Sequence, residues 1–392
     1  MNTTASTRRA LAALLDEGLV VAGVPHAVRR AWPADLDDPG ASVVLELLAQ
    51  APDEGAAPAR RLVGATLRGD RVDVVGADPV LGALPERGLV GLRPGKRAVW
   101  RDAKGRYVKA ARPKATRRAL ARAASVEMLL RRTAGAPARP VVRHADLTVG
   151  RLVLDQVEGS DLRSLLASAD EPEARQAGRQ IGAALVALAR VRPPAPAATH
   201  HADPTSTSTV APAHSAPESS SSRVDLPTHT SGDEAQVLRR WAAAALALAP
   251  LTDDEADLLR HRVPQMSRRL VQFCVTTPDL ALSHRDLHDG QVLLHESRVT
   301  FLDWDTAAWA DPVLDVANLL AHVDRYARRG ARPADCSAFA AELSAALDAG
   351  GHPSGDPASA TRLRCLRETT ALRLLAVHAF RRRHYSQEGG YP

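Results

Sequence analysis

Apolar and polar positions alternate with a period near two in several short runs of the N-terminal half, which predicts strands. ASVVLELLAQ (41–50) and RRLVGATLRGDRVDVVGA (60–77) read this way, the second folding back at Arg68-Gly69-Asp70. From Gly88 the pattern becomes strand, turn, strand, turn, strand. GLVGLR, RAVWRD and RYVKAAR are separated by Pro94-Gly95-Lys96 and Ala103-Lys104-Gly105, and the glycines supply the backbone freedom that tight reversals need. VVRHADLTVGRLVLDQVEG (141–159) reads as two further strands. Helical periodicity marks residues 8–17, Thr116–Arg132, the run capped by Ser160 or Asp161, the stretch EARQAGRQIGAALVALA, Glu234–Leu248 and Asp253–Thr276. From Arg192 to Gly232 Pro, Ser, Thr and Ala dominate. Too few apolar residues are present there to compensate ordering, so 192–232 reads as a disordered insertion with solvated His200, His201, His214 and His229.

Two stretches carry chemistry: HRDLHDGQVLL (284–294) and VTFLDWDTAAWADP (299–312). QVLL and RVTFL are short, β-rich runs around His295-Glu296-Ser297, which is a hairpin pattern. A hairpin brings its outer ends together, so Asp286 before the first strand meets Asp303 after the second, with Gln291 beside them. Two carboxylates and an amide oxygen at one spot suit a hard divalent cation and a general base. His284 and His288 at i, i+4 also raise a zinc-hydrolase reading, but Gly290 and the strand at 291 argue against the helix that such a pair needs.

The ordered combination HxDxxxxQ, hairpin, Asp resembles the catalytic segment of the protein-kinase-like superfamily, in its aminoglycoside phosphotransferase and small-molecule kinase branch. The resemblance implies an α+β, two-lobed fold: a small antiparallel-sheet N-lobe with one long helix, and a mainly helical C-lobe. It implies ATP and Mg²⁺ as cofactors, Asp286 as the base toward a substrate hydroxyl, and Gln291 and Asp303 as the metal ligands. His284, His288 and Asp305 support this loop, and Asp315 in ADPVLDVANLL (310–320) holds its backbone. The branch usually has Asn where this chain has Gln291; maltokinase-type sugar kinases, which this chain loosely resembles, share HxDxHxxQ. The resemblance spans residues 88–385.

A kinase also needs a lysine on the third N-lobe strand. The lysines of the chain are Lys96, Lys104, Lys109 and Lys114, and Lys109 sits within RYVKAAR. Glu127 is the single acidic residue between Asp102 and Asp146, and it shares the apolar stripe of its helix. Arg131 at i+4 and Lys109 are its alternative partners; the resemblance favours Lys109. Asp155, Gln156 and Val157, with Gly159 as a hinge, resemble the segment that binds adenine through backbone groups. LRPGKRAV stands at the phosphate-covering loop without a GxGxxG pattern.

The expected division is residues 1–86 as an N-terminal cap, 87–158 as N-lobe and 159–388 as C-lobe. At 392 residues and 45% hydrophobic composition, the chain has enough apolar side chain for a sizeable core. A net charge of +6 with no long basic run excludes nucleic acid as the expected partner. Asp16 and Glu17 interrupt the apolar N-terminal run, and no uncharged stretch is long enough to span a membrane, so no membrane association is expected. Cys274, Cys336 and Cys365 form no CxxC pair, which points to a reducing cytoplasm. Asp324, Asp335, Glu342, Asp348, Asp356 and Glu368 are spread among arginines. The acceptor is therefore open between a neutral sugar, an amino sugar and an aminoglycoside-like molecule. A catalytically inactive nucleotide-binding protein is the alternative that Gln291 keeps in play. A protein kinase is disfavoured because DFG and APE are missing.

Overall fold

The computed structural model describes residues 3–21, 23–39, 42–49, 60–68, 71–78, 80–85, 88–168, 170–194, 224, 226–273, 280–329 and 332–381. Helix α1 (Thr3–Glu17) precedes an antiparallel sheet of β1 (Leu19–Val21), β2 (Val24–Pro33), β3 (Ser42–Ala49), β4 (Arg60–Arg68) and β5 (Arg71–Val75), in that order. The period of two in β3 serves two cores. Val43, Leu45 and Leu47 pack into a cluster with α1 and with helices of the C-terminal half. Val44, on the other face, joins Leu62, Leu89, Leu92 and Ala98. The buried Glu46 between them is paired with Arg29 (3.3 Å) and Arg60 (2.8 Å). The expected turn at Gly69-Asp70 lies outside the described residues; β4 and β5 pair up to Arg68↔Arg71.

A second antiparallel sheet has the order β6 (Leu89–Arg93), β7 (Arg97–Arg101), β8 (Tyr107–Ala111), β10 (Arg151–Leu154), β9 (Val142–Asp146). Helix α2 (Pro113–Arg131) follows β8 and starts three residues before its expected boundary. Pro113 opens it, with φ set for the first helical turn. The remainder is mainly helical. It comprises β11 (Ser160–Asp161), α3 (Leu162–Ser168), α4 (Glu171–Ala189), α5 (Ser231–Leu248), α6 (Asp253–Phe273), β12 (Ala281–Ser283), β13 (Val292–His295), β14 (Arg298–Phe301), β15 (Ala308–Ala310), α7 (Val313–Ala327), α8 (Pro333–Ala349) and α9 (Pro357–His378). Asp161 caps α3 through the Ser164 amide (3.0 Å), and an Asp170–Glu173 capping box starts α4. Together these make a sheet lobe with one long helix, a helical lobe, and an N-terminal region whose apolar core runs on into α5, α6 and α9.

Two expectations are corrected here. His229 is not solvated: it is buried, its Nε2 lies 2.7 Å from Glu234, and its amide donates to the Trp309 carbonyl (2.8 Å). The segment entering α5 lies beside β15, and Leu226 is buried with it. The expected insertion is therefore ordered at its C-terminal end from Leu226; His200, His201 and His214 lie outside the described residues. Cys336 and Cys365 are buried free thiols, and Cys274 also lies outside. Among the described residues no helix is long and apolar enough to cross a membrane.

Among the described residues α4 and α8 approach closely through glycines. A Cβ on Gly178 would stand 2.5 Å from the Phe339 carbonyl oxygen, and one on Gly182 would stand 2.6 Å from Ala346 Cβ. Gly178→Val must push the pair apart, which costs about 2 kcal/mol as overpacking. A lowered urea midpoint is expected; an unchanged midpoint would show that the contact has slack.

Candidate active site

The hairpin of β13 and β14 closes at a two-residue turn, with His295 paired to Arg298 and Glu296 at φ 52°. At its open end the pairing continues past the strands. The Leu302 amide donates to the Gln291 carbonyl (2.9 Å), and the Leu302 carbonyl accepts from His284 Nε2 (2.5 Å). A carbonyl only accepts, so the Nε2 of His284 carries the proton. The fully buried ring is wedged against Trp304 (4.9 Å between centroids) and Phe301 (6.2 Å). Leu302 thus ties the strand start at Gln291 and the loop at His284 to the residue preceding Asp303.

The loop 284–286 is held from below by α7. The two oxygens of Asp315 accept the amides of His284 and Arg285, each at 2.7 Å. Burial pushes the Asp315 carboxyl up, and these donors oppose the rise. Asn318 donates to the Arg285 carbonyl (2.9 Å) and is fixed in turn by Thr370 and Arg373 of α9. Thr306 donates to the His284 carbonyl (2.8 Å). Arg285 (φ 71°) and Asp303 (φ 56°) both occupy the left-handed region, which side chains other than glycine rarely adopt. Their surroundings hold that strain at the two points where the loop and hairpin present their carboxylates. Asp286 is exposed and, like the Gln291 side chain, makes no hydrogen bond or ion pair to any described residue.

Lys109 reaches this end of the hairpin from β8. Its Nζ donates to Asp303 (2.5 Å) and Asp305 (3.0 Å). Arg97 on β7 adds contacts to Asp305 (3.2 Å) and Asp303 (3.9 Å). Burial works to raise the Asp303 pKa, but Lys109 and Arg97 outweigh it and hold the carboxylate below its ordinary value of 3.8. Burial likewise works to lower the Lys109 pKa, and Asp303 and Asp305 reverse that shift. Glu127 does not pair with Lys109. It binds Arg131 one turn on (2.5 Å) and Arg139 beyond the helix (2.7 Å), while the lysine's ammonium is taken by two aspartates. The link from α2 to the site is Arg122 instead, which donates to the Asp305 carbonyl.

A cavity of about 700 Å³ lies between the lobes, lined among others by Arg93, Arg97, Lys109, Gln291, Asp303 and Asp305. That size suits a nucleotide. Asp155, Gln156 and Val157 line it at the crossing between lobes. The Asp155 carboxylate accepts from Arg143 (2.6 Å) and Gln156 from Arg101 (2.7 Å). Gly159 follows at φ 126°, where a Cβ would meet the Leu294 carbonyl oxygen at 2.6 Å, so the crossing needs glycine to lie against β13.

His288 lies apart from this group. Its Nδ1 accepts the Gly290 amide (3.0 Å), and its ring stacks on His322 (4.9 Å). With Asp289 these histidines offer ligand-type atoms within 4.8 Å of one another. Arg163 already donates to both oxygens of Asp289 (2.7 and 3.0 Å), so its charge is compensated without a cation. His284 and His288 share no metal-facing geometry, and residues 284–288 are not helical. Arg97, Arg122 and Asn318 escaped sequence reasoning. In a chain whose basic residues are nearly all arginine, an arginine gives no local signal.

Residues 91–360 match the profile of the phosphotransferase enzyme family (APH). The chain belongs to the phosphotransferase enzyme family. As a member it is a small-molecule phosphotransferase. No curated protein matches it. Among solved structures it is similar to the aminoglycoside phosphotransferase APH(3'')-Id of Streptomyces rimosus with ADP and streptomycin. The identity is 18%, over 74% of this chain and 94% of that one, with a TM-score of 0.45. It is also similar to a glucosamine kinase: 17% identity, 97% and 94% coverage, TM-score 0.43. Amicoumacin kinase hAmiN with AMP-PNP, Ca²⁺ and Ami is a third: 14% identity, 76% and 81% coverage, TM-score 0.45. At such identities and scores these likenesses decide neither fold nor substrate.

The lowered Asp303 pKa implies a stabilising contribution present above 3.8 and lost as pH falls through and below it. Lys109, raised above 10.5, holds its side of the pair until the medium is more alkaline than that. The stability gap between wild type and Asp303→Asn is expected to be full at neutral pH and to begin narrowing only below pH 3.8, shrinking further as urea titrations are carried into stronger acid. A gap independent of pH would contradict the ion pair.

Proposed function

We propose that this phosphotransferase moves the γ-phosphoryl group of ATP to a hydroxyl of an uncharged or weakly charged small molecule. The observation that supports the reading is the pair of Leu302 backbone bonds, which tie Gln291 and the loop at His284 to the residue before Asp303, while Gln291, Asp303 and Lys109 line one cleft and Asp286 follows His284 by two residues. Asp286 accepts the proton of the acceptor hydroxyl as that oxygen bonds to the γ-phosphorus and the bond to the β-phosphate oxygen breaks. Its carboxylate is unencumbered, as a base must be. Lys109 supplies an ammonium to the α- and β-phosphate oxygens. The oxygen donors Gln291 and Asp303 fit Mg²⁺, since one is neutral and unpartnered and the other is kept ionised by its basic neighbours. Mg²⁺ bound there supplies positive charge against the phosphates. Backbone groups of residues 155–157 serve the adenine. Residues 1–86, 87–158 and 159–388 act as cap, N-lobe and C-lobe.

The acceptor class follows from charge. A polycation needs free carboxylates, yet those of the helical lobe are mostly engaged. Asp324 binds Arg367 (2.6 Å), Asp335 binds Arg332 (2.7 Å), Glu342 binds Arg175 (3.0 Å) and Arg179 (3.2 Å), and Glu368 binds Arg262. Near the catalytic loop, Glu234 is held by His229 and Arg373, and Asp289 by Arg163. A sugar or similar polyol is therefore the favoured acceptor over an aminoglycoside.

Asp286→Ala is expected to retain Mg²⁺·ATP binding by calorimetry while ADP release with the acceptor falls by about 10³-fold. Equal turnover by mutant and wild type would remove Asp286 from the base role. ATP binding without turnover on any sugar, amino sugar or aminoglycoside would favour the inactive nucleotide-binding alternative.

A further inference from the structure

The turn from β6 to β7, Arg93-Pro94-Gly95-Lys96-Arg97, stands over the phosphate end of the cleft without the glycine pattern of a phosphate-covering loop. It is held from outside, by the N-terminal region. The Gly95 amide donates to Asp78 Oδ2 (2.7 Å), and the other oxygen of this buried carboxylate accepts the amides of Val80 and Leu81 (2.9 Å each). Lys96 pairs with Asp35 at 2.7 Å, an exposed contact that contributes little by itself. From β4, Gly64 lies so near the turn that a Cβ there would stand 2.9 Å from Pro94 Cγ. Trp32 of β2 lines the same cleft as Arg93 and Arg97.

This arrangement has two consequences. The Gly95 amide points at Asp78, so it is not available to a phosphate, and whatever the turn offers a nucleotide must come from side chains. Those side chains are guanidiniums. Arg97 already touches Asp305 and Asp303. The Arg93 side chain makes no hydrogen bond or ion pair to any described residue, although it lines the cleft and the charges of Asp286 and Asp303 act on it. A guanidinium left open beside two carboxylates, in a cleft that also holds Lys109, is a fork for phosphate oxygens.

We propose that Asp78 is a positioning residue: by fixing Gly95 it aims Arg93 and Arg97 at the terminal phosphates of the nucleotide. The N-terminal region thereby becomes part of the nucleotide site without touching the nucleotide through Asp78. The proposal rests on the phosphotransferase reading above and adds to it where the phosphate-covering charge comes from and what holds it.

Asp78→Asn separates the two functions of the carboxylate. The amide keeps an oxygen for Val80 and Leu81 but turns an NH₂ toward the Gly95 amide, so donor meets donor. ATP and ADP binding, measured by calorimetry on the full chain, is expected to weaken about tenfold with adenosine binding unchanged, while the thermal midpoint falls by a few degrees, about what one lost buried hydrogen bond costs. In an Arg93→Ala, Arg97→Ala background, Asp78→Asn should add almost nothing, because the groups it aims are gone. Gly64→Ala pushes on Pro94 from β4 and should reproduce the selective loss of ATP affinity should the Asn variant not fold. Wild-type ATP affinity in both variants, or equal loss of ATP and adenosine, overturns the proposal while leaving the phosphotransferase reading intact. Failure of wild type to bind ATP overturns both.

Discussion

The backbone of one residue, Leu302, sets the geometry of the site. The Leu302 amide and carbonyl are bonded in opposite directions, to the Gln291 carbonyl and the His284 ring. Both bonds lie at the end of a hairpin whose register is fixed by side chains buried on it, Val292 and Phe301 among them. A slip of one residue in that register would turn Phe301 out of the core, so the apolar packing and the position of Asp303 are the same constraint. Asp315 and Asn318 then complete the loop from the α7 side by satisfying the amides of residues 284 and 285 and the Arg285 carbonyl. The carboxylate of Asp286 is left as the one part of the loop free to do chemistry.

Charge placement follows a second constraint. Asp303 and Asp305 stand together beside Lys109 and Arg97, with Arg93 close to Asp303. Burial works to raise the Asp303 pKa and Lys109 and Arg97 reverse that shift; cations so placed also suit phosphate oxygens. The helical lobe treats several of its acids differently: Asp324, Asp335, Glu342 and Glu368 are closed by arginines within it.

The parts of the fold that could be read from the sequence are those whose partners lie nearby in the chain. The hairpin, the three strands from Leu89 to Ala111 and Lys109 on the third of them follow from alternation and turn residues over short spans. Strand β2 was missed because VPHAVRRAWP carries a register shift between Val28 and Arg30, and a bulge breaks the period of two that marks a strand. Glu127 was placed on the right helix but given the wrong partner. Periodicity shows which face a carboxylate occupies, not that Arg139, beyond the end of the helix, reaches it first. His229 was read as solvated because the strand that buries it, β15, lies some eighty residues further on. Arg93, Arg97 and Arg122 were invisible for a related reason: their meaning comes from the opposite wall of the cleft.

The central claim is that Asp286, Gln291 and Asp303 meet around the cation of a bound nucleotide, opposite Lys109. The most direct measurement is a crystal structure with Mg²⁺ and a non-hydrolysable ATP analogue. The claim predicts Mg²⁺ at about 2.1 Å from oxygens of Gln291 and Asp303, with the γ-phosphate facing Asp286 and Lys109 on the inner phosphates. A nucleotide bound elsewhere, or a cation that ignores both residues, would contradict it.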